Sequence, residues 1–213
     1  MSEIVFYTNP MSRGRIVRWM LEELGQPYQT HVMGYGPEMK SERYLRLNPM
    51  GKVPTVVHDG AVVTECAAIC AYLADAFPQA GLAPEPGSKA RADYYRWMFF
   101  AAGPVETAVV VKSFGFEIPS EPQAMGRAGW GSFDLMVNGL ASLFADGRSY
   151  VTGDTFSAAD VYVGSQIAWG LRFGTLPERP GFADYAARLG ARPAAVRARE
   201  IDDALVAAMK PKG

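Results

Sequence analysis

The chain has 213 residues, of which 49% are hydrophobic and 20% are charged, which is typical of a globular protein. Its net charge of −1 and lack of basic runs argue against nucleic acid or an anionic membrane as partner and leave small or neutral molecules. It has no apolar run of membrane-spanning length and no signal-peptide pattern at its first residues, so we expect a cytoplasmic protein.

The first predicted strand covers residues 3–8 and is followed by an amphipathic helix. The helix follows Ser12 and ends near Gly25, a residue that commonly terminates helices. Ser12 therefore lies at a helix N-terminus, where a serine hydroxyl is a preferred cap. Arg13, Arg15 and the positive end of the helix dipole also make this hydroxyl suitable for stabilising a thiolate. The two roles are compatible.

Residues 28–33 are predicted to form a second strand. A loop follows at residues 34–37, and its G-x-G is too short to indicate a dinucleotide site. Residues 41–47 are predicted to form a short helix that ends at Asn48-Pro49.

Residues 51–63 carry a hairpin pattern that a proline interrupts. Two short apolar runs flank Asp59-Gly60, a pair typical of a two-residue type I′ turn. Pro54 stands inside the first run and cannot donate an N–H to a sheet, so backbone polar groups near Val53 are expected to stay unpaired. An extended peptide antiparallel to Val53, beside a cis Val53-Pro54 bond, could pair with them. The alternative is a distorted edge strand, and these residues alone favour neither.

A helix is predicted to begin within residues 64–66. Its first N–H groups and positive dipole end favour a carboxylate on the backbone of Glu65 and Cys66, which leaves the Glu65 side chain free to face an ammonium. Alternatively, Glu65 only complements the helix dipole.

The only cysteines, Cys66 and Cys70, fit neither a disulfide framework nor a C-x-x-C redox pair. Cys70 is predicted to be a small buried hydrophobic residue, whereas the role of Cys66 at the helix start stays open. His31 and His58, the only histidines, do not lie at ligand spacing from a cysteine, so no metal site is expected.

The order of these elements predicts an α/β domain with a mixed four-stranded sheet over residues 1–78. Residues 79–88 are rich in Gly and Pro and form a predicted linker. Strand patterns disappear after it, so residues 89–213 are predicted to form an all-helical domain.

The helical domain is predicted to begin with a long helix over residues 89–113, bent at Gly103-Pro104 because proline removes a backbone hydrogen bond. A second helix is predicted over residues 122–145. A third follows Ser157, which has the spacing of a capping box with Asp160. Two further helices are predicted over residues 181–189 and 193–209.

Taken in order, these motifs resemble those of the cytosolic glutathione S-transferases over the whole chain. The matching segments are YTNPMS at 7–12, NPMGKVP at 48–54, TEC at 64–66 with Ala68-Ile69 and Tyr72-Leu73, and GDTFSAAD at 153–160. The resemblance implies a thioredoxin-like N-terminal domain with a cis proline and an all-α C-terminal bundle. It also implies a cytoplasmic homodimer that uses glutathione as co-substrate in detoxification, without a metal.

The resemblance assigns the cysteinyl backbone of glutathione to Val53 beside cis Pro54, and the γ-glutamyl end to Glu65 and residue 66. Two lysines fall where the family often has polar residues that reach the glycyl carboxylate. The implied glutathione-binding positions are therefore Lys40, Lys52, Val53, Pro54, Glu65 and Cys66.

Ser12 falls where the serine-type classes, which resemble theta and phi and include bacterial members, carry the hydroxyl that stabilises the thiolate. Arg13 and Arg15 would support it. In the tyrosine-type classes the catalytic tyrosine would fall near Asn9, so Tyr7 is misplaced for that role. Cysteine-type relatives need a thiol near residue 12, where this chain has none.

The implied reaction is attack of the glutathione thiolate on an electrophilic, largely apolar second substrate. A free thiol has a pKa of about 8.5, and lowering it by about two units, or about 2.7 kcal/mol, gives mostly thiolate at neutral pH. Cys66 replaces the family's usual serine with a poorer donor, which predicts weakened rather than abolished glutathione binding. Two other functions stay open: a non-catalytic ligand carrier or interaction scaffold, and a glutathione-dependent isomerase or peroxidase.

Overall fold

The structure, a computed structural model, describes residues 3–209. Its contacts form two compact units, of which one runs up to Leu82 and resumes at Ala191, and the other is Ala83–Gly190. This division departs from the predicted domains at the last helix, α10 (Pro193–Met209), because that helix packs against α1 (Gly14–Leu24) of the first unit. Residues 1, 2 and 210–213 of the predicted domains lie outside the described residues.

The first unit contains the predicted mixed four-stranded sheet. Its strands are β1 (Ile4–Thr8), β2 (Gln29–Val32), β3 (Thr55–His58) and β4 (Ala61–Thr64), in the order β2-β1-β3-β4. Strand β1 is parallel to β2 and antiparallel to β3, and β3 is antiparallel to β4. Asp59 and Gly60 have φ values of 48° and 84°, as the predicted type I′ turn requires.

Strand β3 begins later than predicted. Val53 and Pro54 precede it, and the bond between them is cis, as predicted. Because proline has no N–H to donate, ladder pairing starts only at Thr55.

The alternation of side chains along β1 separates two packing layers. Ile4 and Phe6 are at most 1% exposed and belong to the core of the first unit, which also includes apolar residues of α1 and of α3 (Cys66–Ala76). Tyr7, on the opposite face, packs in a cluster with Met39 and Tyr44. These two lie on a 3-10 turn (Glu38–Lys40) and on α2 (Glu42–Leu45). The sheet is thus covered on both faces.

The second unit is helical, as predicted. Its helices are α4 (Lys89–Phe100), α5 (Glu106–Ser113), α6 (Pro122–Arg127), α7 (Phe133–Ala141), α8 (Ala158–Phe173) and α9 (Phe182–Gly190). The predicted interruption at Pro104 takes the form of a π-helical turn, Ala101–Val105, between α4 and α5. The predicted capping box of Ser157 and Asp160 is present at the start of α8.

The single helix predicted over residues 122–145 is wrong, because α6 and α7 are separate. Ala128 ends α6 with an extended backbone, ψ 113°, and Gly131 lies between the two helices with a left-handed φ of 66°. Ser132 then starts α7 anew, since its hydroxyl accepts the N–H of Leu135 at 3.1 Å. Within residues 3–209, no helix has both the length and the apolar composition needed to span a membrane.

Candidate functional site

Strand register brings three loop segments to one end of the sheet. Tyr7 pairs with Thr55, and Thr55 pairs with Thr64, so the end of β1, the start of β3 and the end of β4 lie side by side. The turn after β1, the residues before β3 and the start of α3 therefore converge there. These segments hold Ser12, the Val53-Pro54 pair and Glu65, which are far apart in sequence.

The side chain and backbone of Asn9 organise the turn that carries Ser12. The fully buried Asn9 side chain donates Nδ2–H to the Met33 carbonyl at 2.7 Å, and its Oδ1 accepts the Met11 N–H at 2.9 Å. The Asn9 carbonyl accepts the Ser12 hydroxyl at 2.7 Å. The position of Ser12 is thus set by a buried asparagine rather than by the helix alone.

Ser12 lies just before α1, next to the N-cap residue Arg13. Its Oγ accepts the N–H of Gly14, the first helical residue, at 2.9 Å. A Cβ on Gly14 would collide with Thr8 Oγ1, so a glycine there lets the helix start close against β1. The half-buried hydroxyl stands at the positive end of the α1 dipole, where a negative charge is favoured. The N-cap position predicted for Ser12 is off by one residue, because Arg13 is the N-cap residue and makes no side-chain cap bond, while the Ser12 hydroxyl accepts one N–H of the first turn.

Arg13 and Arg15 differ in their surroundings. The Arg15 guanidinium donates to the Pro10 carbonyl at 2.5 Å and to Asp203 Oδ1 at 2.7 Å. It is therefore engaged by the turn and by α10. Arg13 is exposed at the helix start.

The backbone of Val53 is open for pairing. No described residue hydrogen-bonds its N–H or its carbonyl. The carbonyl just before it, that of Lys52, accepts the hydroxyl of Tyr44 at 2.7 Å and the side-chain N–H of Asn48 at 2.8 Å. The buried side chains of Tyr44 and Asn48 thus fix the backbone at Lys52 and leave the Val53 N–H and carbonyl available to an extended peptide.

Glu65 joins β4 to α3 with an unusual backbone, φ 66° and ψ 122°. A residue with a side chain rarely adopts this region, and such geometry recurs at functional sites. The exposed carboxylate stands at the N-terminus of α3. Cys66, the first residue of α3, is buried, and its Sγ donates to the Arg13 carbonyl at 3.6 Å. The thiol therefore connects the start of α3 with the start of α1.

The two predicted lysines are exposed and flank the same loop. Lys40 Nζ donates to the Met50 carbonyl at 2.8 Å and lies across Gly51, where a Cβ would come within 2.9 Å of Nζ. Lys52 directly precedes Val53. The sites proposed for a peptide backbone and for a terminal carboxylate are thus adjacent along the chain.

Sequence reasoning missed the asparagines and Tyr44 as site residues. Asn9 and Asn48 both begin an Asn-Pro-Met segment, and in both the side-chain oxygen accepts the N–H two residues later, at 2.9 and 3.0 Å. This Asx turn is a known use of asparagine. The repeated tripeptide was the available signal, although no binding or positioning role was predicted for either asparagine and both counted as parts of the segments that carry the family resemblance.

Two buried groups lie outside this site. Cys70 is fully buried, as predicted, and burial raises the pKa of its thiol well above the usual value, so it stays neutral. Burial raises the pKa of Asp160 to about 6, while hydrogen bonds from Val151, Tyr185 and Ser157 oppose the rise. Among residues 3–209, no group of His, Cys, Asp and Glu is arranged to hold a metal ion.

Comparison with known proteins gives matches over most of the chain. The family model described as glutathione S-transferase, N-terminal domain, matches residues 11–76. Glutathione S-transferase GST-4.5 of Xanthomonas campestris is 31% identical over 165 residues, which are 75% of this chain and 76% of that protein.

Solved structures share the fold. A glutathione transferase from Methylococcus capsulatus is 25% identical with a TM-score of 0.76, over 94% of this chain and 99% of that one. A sphingomonad glutathione S-transferase complexed with glutathione is 27% identical with a TM-score of 0.72, over 93% and 98% of the two chains. The thioredoxin-like sheet, the helical second unit and the extent of these matches show that the chain belongs to the glutathione S-transferase family.

Proposed function

We propose that the protein is a glutathione transferase of the serine type, which stabilises the glutathione thiolate at Ser12 and adds it to an electrophilic, largely apolar second substrate. The observation that carries the proposal is the convergence at one sheet end of an open Val53 backbone, a helix N-terminus with a serine hydroxyl, and an exposed Glu65. A peptide with a thiol in its middle residue and a free α-amino acid at one end matches these three features.

In the proposed complex, the cysteinyl part of glutathione pairs with the backbone of Val53 next to Pro54. The γ-glutamyl ammonium faces the carboxylate of Glu65, and its carboxylate accepts N–H groups at the start of α3, where Cys66 lies. These contacts are complementary in charge, because a helix N-terminus favours an anion while Glu65 favours a cation. Lys40 and Lys52 supply positive charge for the glycyl carboxylate.

The thiolate needs only modest assistance from the protein. The Ser12 hydroxyl and the dipole of α1 together are proposed to supply the two-unit reduction of the thiol pKa, about 2.7 kcal/mol. No metal takes part in the proposed reaction. Arg13 adds positive charge near the same helix end, and Arg15 holds the turn through the Pro10 carbonyl.

The first test is binding and turnover. Wild-type protein is expected to be retained on immobilised glutathione, to bind glutathione in calorimetry and to conjugate a generic aromatic halide with it. Glu65→Ala is expected to lower glutathione affinity by about tenfold or more, because a desolvated ammonium then lacks its partner. An unchanged dissociation constant would remove Glu65 from the site, and absence of both retention and turnover would refute the proposed function.

We further propose a cytoplasmic homodimer. Tyr95 and Phe99 on α4 are 40% and 71% exposed with ring centroids 6.5 Å apart, so they form an apolar surface suited to cover by another chain. Sedimentation at micromolar concentration is expected to give a species twice the 23.1 kDa of one chain. A single species at the mass of one chain would contradict the dimer.

A further inference from the structure

One arginine links the turn that carries Ser12 to the last helix of the chain. Arg15 Nε donates to the Pro10 carbonyl at 2.5 Å, and Arg15 Nη2 donates to Asp203 Oδ1 at 2.7 Å. Pro10 follows Asn9, whose carbonyl accepts the Ser12 hydroxyl. Asp203 is therefore one side chain away from the turn, although 188 residues separate it from Arg15.

Helix α10 is a firm support for this contact, because it is attached to α1 and to the residues around it at several points. Arg18 on α1 and Asp202 on α10 form a buried ion pair, with side chains 2% and 1% exposed and a separation of 3.2 Å. Nearer the other end of α1, Glu22 pairs with Arg197 at 3.2 Å. Among these carboxylates, that of Asp203 holds the guanidinium that touches the turn.

We infer that Asp203 is a positioning residue, which acts through Arg15 to hold the Pro10 carbonyl and thereby the Ser12 hydroxyl in place. This inference rests on the proposed role of Ser12. The Asp203 carboxylate is 60% exposed, so its ion pair with Arg15 adds little to global stability. Its effect is concentrated instead in the geometry of the turn, where small displacements of a group that contacts the reacting atom reduce the rate strongly.

Electrostatics alone predicts the opposite sign. Asp203→Asn removes a negative charge beside Arg15 and makes the surroundings of the turn more positive. Without a positioning effect, a more positive environment would lower the pKa of a bound thiol. If Asp203 positions the turn, the same substitution replaces the charged acceptor of the Arg15 guanidinium by a weaker neutral one, loosens the turn and raises that pKa. The direction of the change therefore separates the two mechanisms.

The experiment measures turnover against pH, glutathione affinity and thermal stability for four proteins. These are wild type, Asp203→Asn, Asp203→Glu and Arg197→Gln. Arg197→Gln is the matched control, because it breaks an exposed ion pair between the same two helices at a distance from the turn. Asp203→Glu keeps the carboxylate and tests rescue.

We expect Asp203→Asn to lower turnover about three- to tenfold and to raise the kinetic pKa of bound glutathione, with little change in glutathione affinity. Asp203→Glu is expected to restore most of the turnover, and Arg197→Gln to behave as wild type. Both neutral variants are expected to melt at nearly the same temperature as wild type.

An Asp203→Asn pH profile that coincides with that of wild type, or that shifts to lower pH, would overturn the inference. The proposed function would still stand in that case, provided that the pKa of glutathione bound to wild type is below that of the free thiol. Equal losses in Asp203→Asn and Arg197→Gln would also overturn it, because the effect would then belong to helix packing in general. A wild-type protein whose bound glutathione titrates like free thiol would refute the proposed function itself, and the inference with it.

Discussion

The Ser12→Ala variant is expected to raise the pKa of bound glutathione by about one unit, and the contacts of the hydroxyl set this magnitude. Its hydrogen is donated to the Asn9 carbonyl at 2.7 Å, so reaching a thiolate means giving up a neutral hydrogen bond worth about 1 kcal/mol. A hydrogen bond to an ion is worth about 2.5 kcal/mol, which leaves a net gain of about 1.5 kcal/mol. The rest of the proposed two-unit reduction falls to the N-terminus of α1.

The assay is turnover of an aromatic halide against pH at saturating glutathione. Below the wild-type pKa, a shift of about one unit lowers the thiolate fraction about tenfold, whereas at high pH the two proteins converge as both thiols ionise. Glutathione affinity is expected to change little, because Ser12 is proposed to contact only the sulfur.

A matched control separates this effect from lost capping. Ser88 caps α4 by accepting the Arg91 N–H at 3.1 Å, and the Ser12 hydroxyl accepts the N–H of Gly14 at the start of α1, so Ser88→Ala is expected to cost about 1 kcal/mol of stability through a lost bond of the same kind. It is expected to keep the wild-type pH profile. Superimposable profiles for wild type and Ser12→Ala would refute the reasoning, reduce Ser12 to a helix cap, and move the role to Arg13 or a backbone N–H.

Three further predictions concern single residues. Glu65→Gly is expected to stabilise the fold by about 1 kcal/mol, because φ is 66° at this residue, and to weaken glutathione binding. Thermal melting measures the stability and calorimetry measures the affinity, and an unchanged affinity would contradict the prediction. Cys66→Ser is expected to tighten glutathione binding by up to about 1 kcal/mol, and weaker binding would show that the hydroxyl stays with the Arg13 carbonyl, which Sγ now contacts at 3.6 Å. The pKa of Asp160 is about 6 in the folded protein and about 4 in the unfolded chain. Its protonation therefore adds up to about 3 kcal/mol to the free energy of unfolding at low pH, and this contribution is lost as the pH rises through 6. Urea unfolding of wild type between pH 4 and 7 should show this slope, Asp160→Asn should flatten it, and equal slopes would contradict the assignment.

Local patterns in the sequence determined much of the fold. The Asp59-Gly60 turn and the capping box of Ser157 were predicted correctly, because turn and cap preferences act over a few neighbouring residues, whereas the cis Val53-Pro54 bond was implied by the family resemblance. Similar local signals placed Ser12 and Glu65 at helix N-termini, where we propose that the Ser12 hydroxyl meets the thiolate and the Glu65 carboxylate meets the ammonium of glutathione.

Only the tertiary structure decided what supports the site. The strand register that aligns Thr55 with both Tyr7 and Thr64 brings the three loops together. The contact from Asp203 through Arg15 joins segments 188 residues apart, and no local pattern specifies which carboxylate will meet a given arginine. That pairing depends on the packing of α10 against α1. This packing is stabilised by contacts between distant parts of the chain, so neither helix sequence alone specifies it.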